Sequence, residues 1–191
     1  MRTTQKFLWF LVVAVSMLAT ACATTKFTGV WKDVTYVGYP TKIMVICASS
    51  TLGARRVLED EFVKELNGRG IDSIASYPML PDLTVTDKSA IITKAGEVGA
   101  DTVLVTKTVG RKTVPREGVQ TTFTDEYIIT ETDMYDMKSS KQIWVATSET
   151  WVTGNEPANA RLQSFVRAII GKLAKEHLII AKSSASTMQP Y

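Results

Sequence analysis

One histidine and two cysteines in 191 residues leave little material for reactive chemistry. A metal cage of His and Cys ligands needs about four such groups, so that class is excluded. No HExxH, CxxC, GxSxG, P-loop or GxGxxG run occurs, and the mechanisms those spacings carry have no foothold. Carboxylate pairs such as Glu59/Glu61 and Asp133/Asp136 have the spacing of solvated faces. We therefore expect no enzyme, no metal and no cofactor. An excess of one charge is also missing: 22 basic residues face 19 acidic ones. That balance gives no reason to expect a nucleic-acid surface. What is present is 45% apolar residues, enough for the core of one domain.

The N-terminus has three parts. Arg2 and Lys6 form a short positive region, and Phe7 to Leu18 is apolar apart from Ser16. Small residues follow, ending in Ala21 and Cys22. This is the order of a secretory signal peptide. The apolar run is about a dozen residues, and a membrane-crossing helix needs about 20. Residues 1–21 hold no acid, so the chain from Cys22 keeps 20 of its 22 basic side chains against 19 acids, net +1.

The remaining chain alternates in period. Ala23 to Pro40 reads as a tether, in which Lys26 to Tyr36 could add a short edge strand. Lys42 to Ala48 is continuously apolar and β-branched, as in a strand buried on both faces. Ser49, Ser50 and Thr51 offer N-caps to a helix reaching Asn67, with Leu58, Phe62 and Leu66 on one face. Ile71 to Tyr77 is a second strand. Thr86 or Asp87 caps a second helix with Ile91, Ile92, Ala95 and Val98 inward. Asp101 to Thr108 is a third strand. Gly110 to Thr122 reads as a long polar loop. Asp125 to Met137 and Gln142 to Val152 flank Lys138-Ser139-Ser140-Lys141 as a hairpin. A last helix spans Glu156 to Ile179, and residues 182–191 read as a flexible tail. Cys47 lies in the first apolar strand and reads as a small buried hydrophobe. The domain is expected over residues 41–181.

The order βαβαββα predicts a three-layer α/β/α sandwich with a mixed five-stranded sheet. The strands are expected in the order 2-1-3-4-5, with strand 4 antiparallel. In such sheets ligands bind beyond the carboxyl ends of parallel strands. Ser49, Ser50, Thr51, Arg55 and Arg56 lie after strand 1, and Arg111 after strand 3. Amides at a helix N-terminus beside cations could hold an anion; caps and solvated cations are the plainer reading. Tyr127, Tyr135, Trp144 and Trp151 lie on the hairpin. They suit cross-strand packing or a protein-binding face.

Two resemblances follow from particular residues. Leu18-Ala19-Thr20-Ala21-Cys22 resembles a lipobox, with Ala19 where Leu is usual. It implies cleavage between Ala21 and Cys22, a diacylglyceryl thioether on Cys22 and acylation of the new amino terminus. Ala23, in place of the Asp that retains enteric lipoproteins at the inner membrane, implies the outer membrane. The segments VICASSTLGARRVLEDEFVKELNGRGIDSIASYPMLP, GADTVLVTKTV and ETDMYDMKSSKQIWVATSETW, with the terminal amphipathic helix, resemble uncharacterised proteobacterial envelope lipoproteins. Their architecture is similar to the TolB amino-terminal domain, the CsgG pore subunit and the synthase activator LpoB. That likeness implies a lipid-anchored, non-catalytic protein-interaction or assembly module of the envelope. Its partner would be an envelope protein or further copies of itself. The alternative is an anion- or small-molecule-binding lipoprotein using the loops after strands 1 and 3.

Overall fold

The computed structural model describes residues 24–49, 51–81, 88–117 and 122–180. Ala21, Cys22, Ser50, Thr86, Asp87 and the 182–191 tail lie outside the described residues. The elements are β1 (Thr25–Lys32), β2 (Lys42–Ala48), α1 (Leu52–Gly68), β3 (Asp72–Ala75), α2 (Lys88–Glu97), β4 (Thr102–Glu117), β5 (Thr122–Asp136), β6 (Lys141–Trp151) and α3 (Ala158–Lys175).

The strands form one mixed sheet in the order β1-β6-β5-β4-β2-β3. β2 lies parallel to β3 and β4, and β5 runs antiparallel to both β4 and β6. The sheet therefore has six strands and not the expected five, and its order differs from the one predicted by the extra strand, which lies beyond β6 at the edge. The added strand is β1, antiparallel to β6 from Thr25↔Thr150 to Lys32↔Trp144. It falls on the segment Lys26 to Tyr36 that could add a short edge strand, starting one residue earlier and ending at Lys32; its sparse apolar residues suit an edge strand solvated on one face.

β2 divides the two cores by its pleat. Ile43, Val45 and Cys47 join Phe62, Leu66, Val166 and Ile169 of α1 and α3 on one face. Met44 and Ile46 join Ile91 and Ala95 of α2 on the other. Phe62 and Phe165 meet edge to face, 6.1 Å between centroids, where α1 crosses α3. Among the described residues no helix is long and apolar enough to cross a membrane.

The expected loop at Gly110 to Thr122 is the second correction. Gly110–Glu117 continues β4 and pairs with β5 out to Glu117↔Thr122. Pairing with β2 ends at Lys107, and pairing of β5 with β6 begins at Tyr127. A two-stranded ribbon thus extends beyond the body of the sheet. Exposure of residues 111–117 removes the apolar alternation by which a strand is recognised in sequence.

Candidate functional site

The loop after β2 folds as a helix cap. Thr51 Oγ1 accepts from Ala54 N at 3.3 Å, which satisfies one of the orphan amides of α1. Ser49 Oγ accepts from Thr51 N at 3.5 Å. Arg56 is exposed, with its guanidinium 5.0 Å from the centroid of the Tyr77 ring. Arg55 goes the other way and is buried. Its Nε donates to Glu59 Oε1 at 2.8 Å and Nη2 donates to Ser76 Oγ at 2.7 Å, while Nη1 donates to the Leu80 carbonyl.

Glu59 is wholly buried. Besides Arg55 it accepts from the amides of Cys47 at 3.0 Å, Ser76 at 2.7 Å and Tyr77 at 2.9 Å, and from Ser76 Oγ at 2.9 Å. The pair clamps α1 to the ends of β2 and β3. Arg55 is therefore not a free cation of an anion crevice. Glu59 and Asp133 are likewise not on solvated faces, since both are buried. Cys47 lies against this cluster, and burial first, then the Glu59 charge, pushes its thiol well above the usual range. That makes it inert as a nucleophile.

A cavity of about 230 Å³ opens on the α2 face. Ile91, Val103, Val105 and Met137 wall it, and Lys107, Asp133 and Tyr135 supply polar groups. Lys107 Nζ lies 2.6 Å from Glu131 Oε1 and 3.6 Å from Asp133 Oδ2. The bond to Glu131 holds the ammonium of Lys107 above its usual range. Burial raises the Asp133 carboxyl, against the pull of Lys107. Gln142 Nε2 donates to Asp133 Oδ1 at 2.6 Å. These charges satisfy one another across β4 and β5.

A second cavity, of about 350 Å³, lies on the opposite face beside the N-terminal halves of α1 and α3. Leu58, Ile128, Val152, Leu162 and Phe165 give it apolar walls, and its charged lining residues are Arg111 and Arg161. Arg161 Nη1 donates to the Gly154 carbonyl at 3.0 Å. Of the expected anion-site residues only Arg111 lines this cavity; Ser49, Thr51, Arg55 and Arg56 do not. The other ribbon cations have partners: Lys112 is 3.2 Å from Glu149 and Arg116 is 3.8 Å from Asp125.

The hairpin aromatics separate by face. Trp144 is fully buried core beneath α3. Tyr135 half-lines the α2-face cavity. Tyr127 and Trp151 are cross-strand partners; Lys112 Nζ lies 5.8 Å over the Tyr127 ring, and Trp151 Nε1 donates to Asp125 Oδ1 at 3.1 Å. Trp144 is thus not an interface residue. Large exposed side chains on the strands include Trp31, 50% exposed, Val109, 50%, and Phe123, 53%. Sequence reasoning missed them because each lies on a strand with little apolar alternation around it.

No protein-family model matches the chain, and no curated protein sequence matches it. Solved structures do share its fold. A PelC variant from Paraburkholderia phytofirmans, solved as a dodecamer, superposes with a TM-score of 0.50 at 15% identity, over 78% of this chain and 96% of that one. Lipoprotein GNA1162 from Neisseria meningitidis gives 0.48 at 14% identity, over 71% of this chain and 99% of that one. A hypothetical protein, CT253, from Chlamydia trachomatis gives 0.42 at 14% identity, over 75% and 98%. At such identities the first likeness establishes a fold and nothing finer. The similarity to the TolB, CsgG and LpoB domains gains no support from these matches.

Proposed function

We propose that the protein is a lipid-anchored lipoprotein of the cell envelope, on the outer membrane, whose domain works without catalysis as an assembly module joining copies of itself. The observation that carries this reading is the unfinished surface of the sheet. α2 packs over β2 and β4, so on its side of the sheet Trp31, Val145, Tyr127 and Trp151 extend beyond its reach. Among the described residues, no strand lies beside the outer edge of β4 after Lys107. Open edges and exposed apolar side chains are what an assembling surface requires. Pro115 and the bulge between Thr108 and Gly110 restrict that edge, so side-chain contacts at Trp31, Val109 and Phe123 are the larger part of the proposed interface.

The ion-paired clusters support the non-catalytic half of the reading. Arg55 with Glu59, and Lys107 with Asp133, hold the fold and leave no free acid, base or nucleophile in either cluster. The PelC structure that shares the fold was solved as a dodecamer, and this supports a self-assembling role by analogy. The lipid anchor is supported by the residues preceding Cys22. The test is the native mass of the protein extracted from membranes, together with the intact mass of its denatured chain. A multiple of the chain mass, with residues 1–21 lost and about three acyl chains gained, is the expected result. A monomer at micromolar concentration would remove the assembly role, and an unacylated chain would remove the anchor.

A further inference from the structure

The cavity between α1 and α3 has an unusual composition for its position. Leu58, Ile128, Val152 and Leu162 are each only half-buried, so the groove presents apolar carbon to water. Among the described residues its only charges are two guanidiniums, and no carboxylate lines it. It suits a hydrocarbon chain that ends in hydrogen-bond acceptors.

The described chain begins beside this groove. Thr24 is tied down on two sides: its carbonyl accepts from Trp151 N at 2.9 Å and its Oγ1 donates to Ser164 Oγ on α3 at 3.1 Å. Thr25 Oγ1 is 3.0 Å from Thr150 Oγ1, and Thr150 lines the groove. Val152, also in the lining, follows Trp151 directly. Cys22 is two residues upstream of Thr24. Two residues span at most about 7 Å, so a group on Cys22 has the groove mouth within its reach.

We propose that the groove seats one of the acyl chains carried by Cys22, with its ester or amide carbonyl toward Arg111 or Arg161. This inference rests on the lipoprotein reading above. The physical case is one of proximity. Moving hydrocarbon from bilayer to groove is nearly neutral for the chain, but it removes the groove's own apolar walls from water. A tethered chain also has a high effective concentration at its site. One acyl chain anchors only marginally and two anchor stably, so withdrawal of one of about three leaves the protein on the membrane. The consequence is orientation: a seated chain fixes the α1–α3 end of the domain against the bilayer, where a free tether would let it turn.

The test uses the native protein in its own membranes. Cells are fed a diazirine-bearing palmitate, irradiated, and the adducts mapped by mass spectrometry. The expected product joins the Cys22 peptide to peptides containing Ile128 or Leu162. Leu162→Glu should lower its yield several-fold, and Ile92→Glu, on the opposite face, should not. Should Leu162→Glu fail to accumulate, Arg111→Glu at the exposed rim serves for the same comparison. Label on Cys22 with adducts only to phospholipid overturns the inference and spares the lipoprotein reading. A groove labelled by phospholipid in place of the Cys22 chain overturns the assigned occupant. Absence of label on Cys22 overturns both.

Discussion

Arg55 Nε lies 2.8 Å from Glu59 Oε1, one helical turn apart, and both side chains are sealed from solvent. Breaking such a pair leaves an uncompensated buried charge, which typically costs about 3–5 kcal/mol. Glu59→Gln also turns an amide NH2 toward the donors of Cys47, Ser76 or Tyr77. We expect it to lower unfolding free energy by about that range, measured as a shift of the urea midpoint at constant slope. Arg55→Met with Glu59→Gln should cost less than the sum of the two single changes, by about 0.5–3 kcal/mol. Additive losses would mean that the two side chains act separately.

Asp101 links the start of β2 to that of β4. Its Oδ2 accepts from Thr41 N at 2.8 Å and Oδ1 from Lys42 N at 3.3 Å. Burial alone would raise its carboxyl, but the bonds from Thr41, Lys42 and Thr102 outweigh it and hold Asp101 below the usual 3.8. A depressed carboxylate contributes stability that is present above its unfolded value and lost as pH falls through the folded one. Stability should therefore fall in acid below about pH 4, and Asp101→Asn should flatten that limb in chemical denaturation. Asp133, raised by burial, has the opposite sign: its contribution is lost as pH rises through its folded value. Asp133→Asn should leave the Asp101 limb in place. An identical acid limb in wild type and Asp101→Asn would assign the loss elsewhere.

How Glu59 and Asp133 read in the sequence shows what was legible there. Ile43 to Cys47 announced a buried strand by composition, and Leu58, Phe62 and Leu66 announced a helix by period, because both signals come from burial itself. Glu59 and Asp133 could not be told from solvated acids. Their burial depends on partners at distant positions, Ser76 and Tyr77 for the first and Lys107 and Gln142 for the second. The outer half of β4 failed for a related reason, since a ribbon wet on both faces is held by its ladder and shows no apolar rhythm. Among the described residues, Arg111 alone of the expected anion-site residues lines the cavity between α1 and α3, and the partner wall comes from α3, about fifty residues on.

Gly154 packs against the Trp151 ring. A Cβ there would lie 2.7 Å from Cζ3 and 2.9 Å from Cη2. The indole is rigid and is held by its bond to Asp125, so it has to swing as a unit. Gly154→Ala should cost about 1–3 kcal/mol, as overpacking does, and should red-shift Trp151 emission as that half-buried ring moves outward. Unchanged stability and emission would mean that the 152–157 turn gives way instead of the ring.

The assembly surface gives the sharpest separation of fold from function. Trp31 and Phe123 are each about half exposed and lie on β1 and on the ribbon, so neither belongs to the two cores. Charged replacements at such positions usually change stability by about 0.5 kcal/mol or less. Buried in an interface, the same aromatics are favoured hot-spot residues, where truncation commonly costs about 2 kcal/mol or more. Trp31→Asp and Phe123→Asp should therefore leave the thermal midpoint within a few degrees of wild type while shifting native mass toward the monomer. Arg116 lies 5.8 Å from the Phe123 ring, and its loss of that contact is a surface effect common to both oligomeric states. Retention of the native mass in both variants would exclude this face from assembly and leave the open edge of β4 as the surface to test, with Thr113→Pro as the variant.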